Sequence, residues 1–195
     1  LAASKGIPAP ARNAYDVIVL CRHGATDGNA GGAFLSTNDP PLNALGLKQA
    51  ATAANALHDV AFDLALTSPK RRCRQTCAIV APAIEARIDD RLIEVNFGEW
   101  EGRTSQWLEE HAAESLRRRR ERPADFRPPG GESFMDAAIR LQPFAETLER
   151  NGELRTLIVA HRGTLGVLER LLRGLPIDSP AVVPLEPGEF RTLER

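Results

Sequence analysis

The sequence predicts an α/β protein built on a mainly parallel sheet. Two apolar runs, Val17–Leu20 and Thr156–Ala160, have the composition of short strands buried on both faces. Both end abruptly at a histidine, with an arginine and a glycine beside it: Arg22-His23-Gly24 and His161-Arg162-Gly163. Between them lie several stretches with helical periodicity. Two buried strands that end in the same polar cluster are hard to explain as core packing. In open α/β sheets, ligands bind at the carboxyl ends of the strands.

The first of these stretches is VIVLCRHGATDGN, residues 17–29. Gly24 lets the backbone turn sharply and approach a ligand. His23 is thereby a candidate nucleophile or base next to an anion-binding arginine, with a solvated loop histidine as the bland alternative. GGAFLSTNDPPLN reads as a loop. ALGLKQAATAANALHDV turns helical, with Leu47, Ala50, Ala54 and Leu57 expected on its buried face. His58, near that helix end, is assigned no chemistry. AFDLALTS reads as a second strand.

Ser68 and Pro69 are expected to open the next helix, as N-cap and first helical residue. Lys70, Arg71, Arg72 and Arg74 then crowd its first turns. Cations there oppose the helix dipole, and a broken local rule often marks a functional site. Most of them are expected to be solvated, with one or two facing the strand ends.

In RLIEVNFGEWEGRT, Glu94 has an apolar neighbour on either side. A carboxyl group in apolar surroundings has its pKa raised, which suits a general acid; a carboxylate paired with arginine is the alternative. SQWLEEHAAESLRRRRERPADFRP is expected to form one exposed amphipathic helix and a proline-rich loop. Trp107, Leu108 and Leu116 give it an apolar side. Arg117–Arg120 suggest nucleic acid at first sight. Glu109, Glu110, Glu114 and Glu121 surround them without aromatic interleaving, so a solvated, ion-paired helix is the better reading. Residues 104–130 could act as a lid over the strand ends. Ser133 and Asp136 form a capping box for a helix lined by Phe134, Ala138, Leu141, Ala145 and Leu148. After the second buried strand comes a helix burying Leu165, Leu168, Leu171 and Leu172, with Gly174 as its stop. The tail AVVPLEPGEFRTLER offers two short strand candidates.

At 195 residues the chain suits one domain. Its 43% hydrophobic and 26% charged residues are ordinary for a globular protein, and its net charge of −1 gives no general pull toward nucleic acid or anionic membranes. No apolar run is long enough to span a bilayer. Residues 1–15 read as a loose arm, not a signal core. Three cysteines, Cys21, Cys73 and Cys77, fit no disulfide framework and point to a reducing, cytoplasmic setting. Cys73 and Cys77 stand one helical turn apart, as a metal pair could, but small core residues are the simpler reading. The oligomeric state is not legible.

Five segments, in this order, resemble the histidine phosphatase superfamily, in its phosphoglycerate-mutase-like branch: RHGATDGN, PLNALGLKQA, SPKRRCRQT, IEVNFGEWEG together with PPGGES, and VAHRG. The resemblance runs from about Val17 to about Gly174. It implies a three-layer α/β sandwich, with helices flanking the mainly parallel sheet, and catalysis without a metal or other cofactor. It implies that His23 attacks phosphorus, that Arg22, Arg72, His161 and the Asn29 amide hold the phosphoryl oxygens, and that Glu94 protonates the leaving alkoxide and then activates water. Thr26 and Arg162 are possible substrate contacts. The expected activity is hydrolysis of a small phosphorylated metabolite; phosphoglycerate mutase is the alternative, and a non-catalytic phospholigand module a weaker one. The chain departs from the pattern at Ala33, often arginine, at Ser36, often glycine, and at Arg162, usually glycine. It also looks too short for the longer insertions of cofactor-dependent mutases.

Overall fold

Alternation along the first strand sorts the helices into two layers. In a computed structural model, which describes residues 17–150 and 154–194, β1 spans Val17–Arg22. Ile18 and Leu20 pack on one face of the sheet, Val19 and Cys21 on the other. Side chains alternate across a strand, so a strand apolar at every position must be covered on both faces. On the Val19 side lie α1 (Ala44–Ala56) and α2 (Arg71–Val80), through Ala53, Cys73, Cys77 and Val80. On the Ile18 side lie α5 (Phe134–Arg150) and α6 (Arg162–Leu172), through Leu141, Phe144, Leu165 and Leu168. The result is the expected three-layer sandwich.

The sheet has the order β3-β2-β4-β1-β5, with β2 at Leu64–Thr67, β3 at Arg87–Ile88, β4 at Arg155–Ala160 and β5 at Phe190–Glu194. All neighbours are parallel except β1 and β5. Arg22 is level with Ala160 in the β1–β4 register, and His23 N–H donates to the Ala160 carbonyl at 3.1 Å. The two histidines therefore leave adjacent strands at the same height. The helices after β1 and β4 lie on opposite faces, so the connections leave the paired strand ends in opposite directions and open a crevice.

Several expectations need correction. The buried face of α1 runs through Gly46, Ala50, Ala53 and Leu57, whereas Leu47 is exposed. Small residues let α1 approach β1 closely. A Cβ on Gly24 would lie 2.4 Å from the Gly46 carbonyl oxygen, and one on Gly46 would lie 2.1 Å from that of Ala25. The expected single helix after Thr104 is two, α3 (Ser105–His111) and α4 (Ala113–Glu121), broken at Ala112 with φ −144° and ψ 37°. The break lets Leu108 and Leu116 share a small separate core with Phe97 and Trp100. Of the two tail strands only β5 forms; Pro180 and Pro184 flank the first candidate, and proline cannot donate to a ladder. β3, two residues long, carried no periodic signal. The capping box at Ser133 and Asp136 and the positive φ of Gly174 are as expected. The arm over residues 1–15 lies outside the described residues. Among those residues no helix is long and apolar enough to cross a membrane.

Candidate active site

His23 is 4% exposed at the end of β1. Its Nδ1 lies 2.7 Å from the carbonyl oxygen of Gly24. A carbonyl only accepts, so Nδ1 carries the hydrogen and Nε2 keeps its lone pair. Arg72 Nε donates to that Nε2 at 3.3 Å. Burial, then the Arg72 charge, pushes the His23 pKa down to about 3, with Arg22 adding to this and the Gly24 bond opposing it. At neutral pH the ring is uncharged, and its Nε2 lone pair accepts one long bond from the Arg72 guanidinium.

His161 leaves β4 differently. It is fully buried, and both ring nitrogens are engaged. Nδ1 lies 3.3 Å from Arg72 Nη2 and Nε2 lies 2.9 Å from Ser68 Oγ. Arginine only donates, so here the hydrogen sits on Nε2 and points at Ser68. Burial, then His23 and Arg72, holds the pKa well below the ordinary histidine range. The two imidazoles pack edge to face, with centroids 5.1 Å apart. Ser68 thus serves His161 and does not cap α2. That helix starts later, at Arg71, and its first N–H donates to Asp39 Oδ1 at 2.7 Å. The missing acid at the helix start comes from a loop more than thirty residues upstream, which the local sequence could not show.

Arg72 alone of the four cations turns fully inward; Nη1 donates to the Asn38 carbonyl at 2.9 Å and lies 3.7 Å from Asp39. Arg22 is 9% exposed; its Nη1 donates to the Leu185 carbonyl at 2.9 Å. Its Nε is the one buried side-chain nitrogen or oxygen without a hydrogen-bond partner among the described residues.

Glu94 does not sit in an apolar setting. Its Oε1 accepts from Val95 N at 2.9 Å, Thr164 N at 3.0 Å and Thr164 Oγ1 at 3.2 Å, and its Oε2 from Gly163 N at 3.2 Å. The carboxyl group therefore lies on the N-terminus of α6, where backbone N–H groups point outward. Oε2, with one long bond, is the oxygen left open to take a proton. Two segments about thirty residues apart set its position. Glu132 N–H donates to the Asn96 carbonyl at 2.8 Å, Glu99 N–H donates to that of Pro129 at 2.9 Å, and Arg140 ties Glu132 to the Ile93 carbonyl.

A cavity of about 580 Å³ opens over this cluster. Arg22, His23, Asn29, Glu94 and Arg162 line it, whereas Arg72 and His161 lie beneath its floor. Thr26, a possible substrate contact from the sequence, does not line the cavity. Thr26 is fully buried, and its Oγ1 accepts from Asn29 N while Asn29 Oδ1 accepts from Thr26 N. That reciprocal cap fixes the Asn29 oxygen and leaves its NH₂ for the cavity. Ala33 lines the cavity too; Ser36 instead ties its loop to Glu101 through N and Oγ. Arg162 turns to the cavity, 3.4 Å from Glu186. Burial pushes the three thiols up, Cys21 and Cys77 to about 12, and all three are free and enclosed. Among the described residues no group of three His, Cys, Asp or Glu side chains could hold a metal ion.

Arg119 was missed. Arg117 and Arg120 pair with glutamates as expected, but Arg119 turns inward to the cavity wall. Its guanidinium lies 5.3 to 5.7 Å from the ring centres of Phe134, Phe34, Trp100 and Phe97. Its side chain has no hydrogen bond or ion pair among the described residues. Residue 119 is three positions after the buried Leu116, and that spacing on one helix face could have flagged it.

The sequence profile of the histidine phosphatase superfamily, branch 1, matches residues 18–195. The chain belongs to this superfamily. It is 31% identical to the adenosylcobalamin/α-ribazole phosphatase of Escherichia coli K12 over 163 residues, covering 82% of this chain and 80% of that protein. It is also 31% identical to a 2,3-bisphosphoglycerate-dependent phosphoglycerate mutase of Methylorubrum populi over 183 residues, covering 88% and 86%. Length therefore does not set it apart from that mutase. The native structure of a mycobacterial glucosyl-3-phosphoglycerate phosphatase superposes with a TM-score of 0.83 at 29% identity, covering 92% of this chain and 90% of that one.

Proposed function

We propose that this protein is a phosphomonoesterase that hydrolyses a small phosphorylated metabolite through a phosphohistidine on His23. The observation that carries this reading is the tautomer: the Gly24 carbonyl takes the Nδ1 hydrogen and leaves the Nε2 lone pair, met only by one long bond from Arg72, on a neutral, buried ring. A protein that only bound phosphate would need neither that nucleophile nor an acid opposite it. Nε2 attacks phosphorus as the P–O ester bond breaks, and the leaving oxygen takes a proton from Glu94 Oε2. Water then attacks the phosphohistidine, Glu94 takes the water's proton, and the N–P bond returns its electrons to Nε2. Arg22 and the Asn29 NH₂ meet the phosphoryl oxygens from the cavity wall. Arg72 and His161 act from below, next to the atom being phosphorylated. Phosphoryl transfer depends mainly on positioning and charge stabilisation, and guanidinium groups supply that charge without an ion.

The chain is read as one cytoplasmic domain, with α3 and α4 as a lid carrying Arg119 over the leaving group. Arg119, Arg162 and Arg170 on the cavity wall favour a polar or anionic leaving group. Phosphoglycerate mutase is the second reading, favoured by the likeness to the Methylorubrum populi enzyme. The test is phosphate release from an aryl phosphate and a panel of metabolite phosphates, in chelator, against phosphoryl exchange between phosphoglycerates. Release that survives chelation supports the proposal. Exchange without release would make the protein a mutase, and activity restored only by a divalent cation would overturn the metal-free mechanism.

A further inference from the structure

One carboxylate stands where the mechanism has no use for it. Glu186 lies on the cavity rim, with Oε2 3.6 Å from Arg22 Nη1 and Oε1 3.4 Å from Arg162 Nη1. Those distances are ion-pair distances, too long for good hydrogen bonds. The side chain is 58% exposed, so the pairs are weak and separable.

The backbone beneath Glu186 is fixed. Glu186-Pro187-Gly188-Glu189 is a tight turn closed by a hydrogen bond from Glu189 N to the Glu186 carbonyl at 2.9 Å. Proline at its second position and Gly188 at φ +80° suit a type II turn. The Glu189 carboxylate accepts from Glu186 N at 2.8 Å. The turn is bound to the end of β1: Arg22 N–H donates to the Glu189 carbonyl at 2.9 Å, and Gly188 N–H is shared between the Arg22 and His23 carbonyls at 3.2 Å each. The strand end that carries His23 thus also anchors the backbone of residue 186.

We propose that Glu186 is a product-release residue, a carboxylate on a fixed turn that competes with phosphate for Arg22 and Arg162. This rests on the reading of Arg22 as a phosphoryl-binding group. With the site free, Glu186 pairs with both guanidinium groups. When a phosphoryl group is bound, Glu186 faces a like charge across Arg22. Both effects weaken the holding of an anion and leave the reactive nitrogen untouched. Weak retention favours turnover when the product is phosphate dianion. Arg162 extends the device to the rim, because Glu186 spans the gap between the two arginines.

The test is binding of inorganic phosphate by calorimetry to the wild type, Glu186→Gln and Glu186→Asp, with phosphate inhibition of aryl phosphate turnover measured alongside. Glu186→Gln should bind phosphate about fivefold more tightly, the scale expected of one half-exposed charge facing a charged ligand. The gain should shrink in high salt, which screens exposed charges. Glu186→Asp, which keeps the charge, should stay nearer the wild type. Phosphate binding to Glu186→Gln that is unchanged or weaker would overturn the proposal. Phosphate binding to none of the three proteins would overturn it too, and turnover of aryl phosphate by the wild type then decides separately whether the phosphatase reading stands.

Discussion

The ends of β1 and β4 look alike in sequence and differ in what they can do. Each is a buried strand running into a histidine, and the two rings touch. After His23 the chain makes an open turn, and the Gly24 carbonyl folds back onto Nδ1. After His161 the chain enters α6 at once, and the imidazole is clamped between Arg72 and Ser68. Both rings have both nitrogens engaged, but His23 lines the cavity with Nε2 in only one long bond from Arg72, whereas His161 is fully buried beneath it. The β4 end instead offers the first N–H groups of α6, and these hold Glu94. The same strand-end pattern becomes a nucleophile in one place and a platform for the acid in the other, according to the backbone that follows.

Removing the His23 ring should have the largest effect. On the proposed mechanism, His23→Ala abolishes turnover, to below about one part in 10³ of the wild type, as expected when a group acting as a unit with its partners is lost. Near-normal steady-state rates in a folded variant would end the distinction between the two histidines.

Glu94 tests the β4 end through the leaving group. General acids contribute about 10² to 10⁴ in rate, most where the leaving group is a poor one. Glu94→Gln should therefore slow the burst with alkyl phosphates far more than with nitrophenyl phosphate. An equal slowing of both would remove Glu94 as the acid. Gly163→Ala probes the same platform without replacing the carboxyl group, because its Cβ would lie 2.8 Å from Glu94 Oε1 and displace it. It should reproduce the leaving-group dependence in weaker form.

Arg72 joins the two ends, donating to both rings. Removing one donor of this kind costs about 10² to 10³ in rate, and Arg72→Lys should lose about that for every substrate alike. A loss that followed leaving-group quality would place Arg72 in proton transfer.

The smallest effect is on stability. Folded His23 has a pKa of about 3 against an ordinary 6.5, so the unfolded chain binds more protons between those values. Stability is complete above about pH 6.5 and falls as the pH drops toward 3, by up to about 1.4 kcal/mol per pH unit for each such histidine. His161 adds in the same direction. Melting temperatures of His23→Gln between pH 7 and 5 should fall less steeply than those of the wild type.

The strand ends were legible in the sequence because apolar runs and glycine-flanked histidines are local patterns. Arg72 and Glu94 stood out for related reasons, one as a cation at the wrong end of a helix and the other as an acid between apolar neighbours. What those neighbours do was not legible. Glu94 lies between Ile93 and Val95 in sequence, but three of its four bonds come from α6, about seventy residues away. Asp39 caps α2 from a distant loop, and that freed Ser68 for His161. Thr26 had the composition of a substrate contact but was drawn into a cap for Asn29. Arg119 was hidden in a run of arginines whose other members are solvated. In each case the local signal was right about residue type, and tertiary contacts chose the partner.

The contrast between the two histidines is tested most directly by trapping the intermediate. Wild-type protein mixed with labelled substrate and quenched within one turnover should carry acid-labile, base-stable phosphate, at most one per chain, on Nε2 of His23. The His23→Ala protein should carry none. Label on His161, or a product burst with no label on either ring, would contradict the assignment of His23 as nucleophile.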